Sequence, residues 1–180
     1  LAKRAVEPGK KAIVIDDFGL DLEMAKKFAS LPFPITFSIL PYLPHSQESA
    51  EIARSHNRQG MLHLPMEPQG YPKVSPGPGA LLISMTDQAL LKSLHDALQA
   101  TPHAVGINNH MGSRFTECPR EMSDVIRTIK GRGLFFVDSL TTSHSTGYQT
   151  AKDLNVAAAR RHIFLDGVLD VSAISVQLEK

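Results

Sequence analysis

The 180-residue chain contains no tryptophan, three tyrosines and a single cysteine. One thiol, Cys118, excludes an internal disulfide framework and any zinc site built from several thiolates. Excess charge is missing as well. Nineteen Lys and Arg face eighteen Asp and Glu, for a net charge of +1, and no dense basic stripe marks a nucleic-acid surface. No apolar run approaches the roughly 18 residues of a spanning helix, and no signal peptide is visible within these residues. The chain starts at Leu1 rather than Met, so the expectation is a processed or trimmed product with any targeting segment upstream. Also absent are repeats of about 20–50 residues, a G-x-S-x-G elbow, a P-loop, and a G-x-G-x-x-G turn after the first strand candidate. "SPGPGA" (75–80) has the glycines of a phosphate cradle, but its two prolines remove the amides such a cradle needs.

What is present fits one soluble globular domain. Hydrophobic residues make up 42% and charged residues 21% of the chain, and this length buries about 70% of the surface exposed by the unfolded form. Residues 1–10 read as an N-terminal extension and 11–180 as a single domain. Short apolar runs at 11–17, 34–40, 60–65, 103–109, 134–139 and 161–166 are strand candidates. Amphipathic stretches separate them. Thr86 is a plausible N-cap for a helix with Leu90, Leu91, Leu94 and Leu98 on one face. Pro119 suits the first turn of a helix striped by Met122, Val125, Ile126 and Ile129. Such alternation predicts α/β architecture with parallel strands joined by helical crossovers, either a sheet with helices on both faces or a closed or partly closed barrel. The segment 67–84, with Pro68, Pro72, Pro76 and Pro78, is too long for an ordinary connection and reads as a functional loop or lid.

Polar residues gather where these strands end. The first ends in Asp16-Asp17, the third in His63 with Glu67 beyond, and the fourth in Asn108-Asn109-His110. The fifth ends in Asp138-Ser139 and the sixth in Asp166. Parallel β/α folds place ligands at the carboxyl ends of strands, so these groups are expected to share one pocket. Adjacent residues of a strand point in opposite directions. One acid of the pair can therefore bind a cation while the other orients or deprotonates water, or the pair simply caps the following helix. His63, inside an apolar run, reads alone as a core histidine; His110 divides evenly between turn and ligand. One Asp with two His is a familiar donor set for a catalytic divalent cation, and imidazoles favour Zn²⁺. Asp138 reads either as an acid that orients a ligand histidine or tunes the base, or as a turn acid. His144 lies in the loop after the fifth strand, among hydroxyl residues that also suit a solvated loop.

The ordered set "IDDFG" (15–19), "HLPMEP" (63–68), "GINNHMGS" (106–113), "FFVDS" (135–139) and "FLD" (164–166) resembles the divergent polysaccharide deacetylase family, from Lys11 to about Asp170. The resemblance implies a deformed (β/α) barrel of about seven mostly parallel strands. It also implies a metal-dependent hydrolase that removes acetyl groups from an N- or O-acetylated polysaccharide or cell-wall glycan. Asp16 would be the catalytic base and Asp17 a ligand of a divalent metal, with Zn favoured. Where the ordinary deacetylases carry a second histidine four residues after the first, this chain has Glu67. The favoured ligand set is therefore Asp17, His63 and His110, with Glu67 as the alternative ligand. Asn109 and Asp138 complete the expected catalytic set; Asn108, Met66, Ser139 and His144 are expected to contact substrate. The implied partner is an acetylated glycan or peptidoglycan fragment, and the implied location is periplasmic or extracytoplasmic. The substituted motif keeps a second reading alongside, a carbohydrate-binding envelope scaffold that retains the barrel without hydrolysis.

Overall fold

The computed structural model describes residues 11–179; the expected extension 1–10 lies outside the described residues. Six strands, β1 (Val14–Phe18), β2 (Thr36–Ile39), β3 (Gln59–Met66), β4 (Gly106–Met111), β5 (Phe135–Asp138) and β6 (Ala158–Arg160), form one sheet. Every pairing is parallel, and the spatial order is the chain order. Right-handed crossovers in an unreversed order put the connecting helices on one face of the sheet. These are α1 (Leu22–Ala29), α2 (Ser46–Ser55), α3 (Asp87–Ala100), α4 (Pro119–Lys130) and α5 (Gly147–Asp153), with α6 (Val171–Leu178) following β6.

Local sequence explains most boundaries. Thr86 caps α3 by accepting the Ala89 N–H at 3.3 Å, and Pro119 opens α4. The cap of α1 is Asp21, whose carboxylate accepts from the Met24 N–H at 3.0 Å. That releases Asp16 and Asp17 from the capping role.

The core divides along the sheet. Leu62, Leu64 and Met66 of β3, Ile107 of β4 and Phe136 of β5 pack with Leu90 and Leu94 of α3 and the α4 stripe, Met122, Val125, Ile126 and Ile129. Each such buried side chain contributes about 1.5–3 kcal/mol. A second cluster joins β1 and β2 to α1 and α2, and within it Phe18 stacks on Phe37 with ring centroids 4.0 Å apart. Alternation along the strands leaves Ser38, Met61, His63, Asn108 and His110 on the opposite face.

Two expectations need correction. The last strand is Ala158–Arg160, not 161–166. Arg161 ends it: its guanidinium donates to the carbonyls of Ser139 and Leu140, at 2.8 and 2.9 Å, and beyond it Phe164 and Asp166 lie exposed. Asp166 therefore ends no strand. Among the described residues the sheet has six strands, all parallel, with β1 and β6 as its edges.

Candidate metal centre

Strand ends become a site through backbone conformations that side-chain pattern does not announce. Four non-glycine residues with left-handed backbone mark the carboxyl ends of four strands: Asp17 (φ 63°), Tyr42 (φ 62°), Met111 (φ 52°) and Leu140 (φ 46°). Residues held in such sparsely populated regions concentrate at functional sites. At Asp17 the distortion coincides with a register shift in the β1–β2 pairing between Ile15 and Phe18. The bulge overrides strict alternation, and both acids reach His63. Asp16 Oδ1 lies 3.7 Å from Nδ1 and Asp17 Oδ1 lies 3.4 Å from Nε2.

Asn108 organises the next layer. It is buried beside His63, and its Nδ2 donates to Asp16 Oδ1 at 2.9 Å. A carboxylate only accepts, so this contact fixes which end of the amide is which. Asn108 Oδ1 then accepts from Ser38 Oγ at 2.7 Å and from His63 Nδ1 at 2.9 Å. With its proton on Nδ1, His63 presents a bare Nε2 lone pair on the other side of the ring.

That lone pair meets two more donor atoms. His110 Nδ1 stands 3.1 Å from His63 Nε2 and 3.2 Å from Asp17 Oδ1. The third side of the triangle is the 3.4 Å between His63 and Asp17. Ligands held about 2.0–2.2 Å from a tetrahedral zinc ion stand about 3.3–3.6 Å from one another. The triangle fits such an ion with little rearrangement, and no other group of three or more His, Cys, Asp or Glu among the described residues converges this way. Chemistry agrees with geometry, because a carboxylate and two imidazole nitrogens facing one point suit positive charge, whether a cation or a ring proton. The imidazoles of His110 and then His63 already hold the Asp17 carboxyl well below the ordinary carboxylate range, against a smaller opposing effect of burial.

The remaining expected site residues are placed elsewhere. Glu67 is buried, pairs with Arg114 at 2.9 Å and accepts the Ile83 N–H at 2.8 Å. Its carboxylate fastens the end of the proline-rich segment and stands apart from the triangle of Asp17, His63 and His110. Met66 is fully buried in the helix-side core, against Gly112, where a Cβ would come within 2.8 Å of the Met66 Cβ. Substrate contact is closed to it.

Asp138 lies on the same strand face as Phe136. Its oxygens accept from Leu140 N at 2.9 Å, Ser145 Oγ at 2.7 Å and Tyr148 N at 2.9 Å. These bonds dock the start of α5, where Gly147 allows the approach because a Cβ there would meet Asp138 Oδ2 at 3.0 Å. Asn109 is likewise engaged: Oδ1 accepts from Ser139 N and Nδ2 donates to Met111 O, each at 2.8 Å. Ser139 is half-buried beside it. His144 is exposed, with Nδ1 3.6 Å from Glu117. The structure thus gathers Asp16, Asp17, His63, Asn108 and His110, and gives Asn109 and Asp138 other partners.

Sequence reasoning overlooked Ser38 and Arg114. Ser38 had one signal: it is a hydroxyl residue within an otherwise apolar strand, and such a group needs a buried partner.

A parallel sheet wound in one direction, with an Asp–His–His set at its strand ends, defines the class: a β/α domain with a candidate metal centre. The family model for divergent polysaccharide deacetylases matches residues 13–180, and the chain belongs to that family. Among curated proteins it is similar to the uncharacterized protein YibQ of Escherichia coli (strain K12), at 32% identity over 172 residues, covering 96% of this chain and 53% of the relative. An uncharacterized protein of Haemophilus influenzae is 34% identical over 157 residues, covering 87% of this chain and 55% of that one. The chain spans about half the length of the curated relatives it matches. A crystal structure of an uncharacterized protein from Agrobacterium tumefaciens superposes with a TM-score of 0.86 at 28% identity, covering 93% of this chain and 69% of that one. The lactam utilization protein from Thermus thermophilus, with a TM-score of 0.50 at 11% identity over 79% of this chain and 63% of its own, shares the fold alone.

Proposed function

We propose that this domain is a metal-dependent hydrolase that removes acetyl groups from an N- or O-acetylated polysaccharide or cell-wall glycan, acting outside the cytoplasm. The observation that carries the reading is the triangle of Asp17, His63 and His110, whose sides of 3.1–3.4 Å need to open only slightly around a zinc ion. A divalent cation held there would polarise the acyl carbonyl and ease deprotonation of water. Asp16, beside the set and held by the Asn108 amide, takes the proton of the attacking water as general base. Asn108 holds Asp16 and His63 in mutual register through the two ends of one side chain. The scaffold alternative drew its strength from the substituted metal motif; a second imidazole arriving from β4 weighs for hydrolysis instead.

Metal content of the purified chain, followed by acetate release from N-acetylated chito-oligosaccharides and peptidoglycan fragments, tests the proposal. Stoichiometric zinc and turnover are expected, with Asp16→Asn keeping the metal and losing turnover. If Asp17→Ala and His63→Ala retain both metal and activity, the centre is misassigned. Stoichiometric metal without turnover of any acetylated glycan would favour the scaffold.

A further inference from the structure

A pocket of about 200 Å³ opens beside His110. Leu40, Pro41 and Leu43 from the loop after β2, Pro65 near the end of β3, and Pro76 and Pro78 of the proline-rich segment form its walls. Among the lining side chains only those of Ser75 and His110 are polar. Proline supplies no backbone N–H, so donors are scarce. A sugar ring seated here would leave hydroxyls without partners, which is costly. An alkyl chain would leave none. At about 30 Å³ for each water in the liquid, the space matches about seven waters, far more than one methyl group fills.

We propose that this pocket is the acyl site of the enzyme and that it accepts acyl groups longer than acetyl, such as propionyl and butyryl. The inference rests on the hydrolytic reading above and deepens it. The position follows from His110, which belongs to both the donor triangle and the pocket wall. A carbonyl brought to the triangle has an alkyl substituent on one side and the sugar amine or oxygen on the other, and only the alkyl side suits these walls. In the hydrolysis the C–N bond breaks, a C–O bond forms from water, and the protons of that water end on the amine and in solution. The alkyl tail is unchanged throughout, so its length alters binding and positioning without altering the chemistry.

The test uses the zinc-loaded full chain and chito-oligosaccharides carrying N-acetyl, N-propionyl or N-butyryl groups. Each added methylene that is buried should raise kcat/KM by about fourfold. Ser75 lies on the exposed segment, and Ser75→Phe, which fills the pocket from its rim, should flatten or invert the series. A second measurement does not depend on catalysis: affinities of acetate, propionate and butyrate by NMR titration should follow the same ladder and lose it in Ser75→Phe. Equal binding of acetate and butyrate, or a ladder that Ser75→Phe leaves unchanged, overturns the assignment. Hydrolysis of the acetyl substrate alone counts against the pocket while sustaining the hydrolase. An affinity ladder without any turnover counts for the pocket and against the hydrolase.

Discussion

Asp17 and Asp138 both end strands of the same sheet, and their surroundings are opposite. Asp17 has an exposed side chain, sits on a bulge and faces two imidazoles. Asp138 is fully buried and accepts three hydrogen bonds from the loop and helix that follow it. The same contrast separates His110 from Glu67: the His110 ring nitrogen faces His63 and Asp17, whereas the Glu67 carboxylate is consumed by Arg114 and a backbone amide. A polar residue at a strand end thus holds the loops together or serves the site, according to which face of the sheet it occupies.

Substitutions can break this contrast. The largest effect is expected from Asp138→Ala, which leaves the N–H groups of Leu140 and Tyr148 and the Ser145 hydroxyl without their acceptor. A loss of about 3–5 kcal/mol in denaturant unfolding should follow, and a loss under about 1 kcal/mol would remove Asp138 from the structural class. Next, His110→Ala should weaken zinc binding more than the roughly 10–100-fold typical of an outer-shell change, with little change in apo-protein stability. Glu67→Ala should do the reverse. Calorimetric zinc titration beside thermal unfolding distinguishes them, and a zinc loss larger in the Glu67 variant would restore Glu67 as the ligand.

Asn108→Ala should lower zinc affinity by about 10–100-fold by freeing the His63 ring, and unchanged affinity would show that the tautomer is set otherwise. The smallest effect concerns acid. Because the Asp17 carboxyl is held below its ordinary value, it stabilises the fold above the ordinary carboxylate range, and that contribution is lost as pH falls through the depressed value. Its exposure keeps the contribution small. Asp17→Asn should therefore slightly flatten the decline in apo stability below about pH 4, and an unchanged acid limb would contradict the contact.

Much of this arrangement was legible in the chain. Strand–helix alternation announced the parallel sheet, Thr86 and Pro119 marked their helices, and the stripe from Met122 to Ile129 announced a buried face. The last strand was missed because Ala158–Arg160 lacks the β-branched residues that signal strands. Site residues were legible only as a crowd at strand ends. Parity could have divided them: Ile107 with Asn109 and Phe136 with Asp138 face the helices, whereas Met61 with His63 and Asn108 with His110 face away.

The sequence by itself determined the class of fold, the strand ends as the place where polar groups gather, and the residue types available there, because periodicity and composition are local and additive. Only the tertiary structure decided which donor groups stand together. Whether Asp17 turns beside Asp16 depends on a bulge in the pairing of β1 with β2. Whether His110 or Glu67 completes the triangle depends on Arg114, brought to Glu67 by the chain beyond β4. Both are contacts between segments far apart in the chain, where the free energy of a side chain depends on neighbours that its own local sequence does not specify.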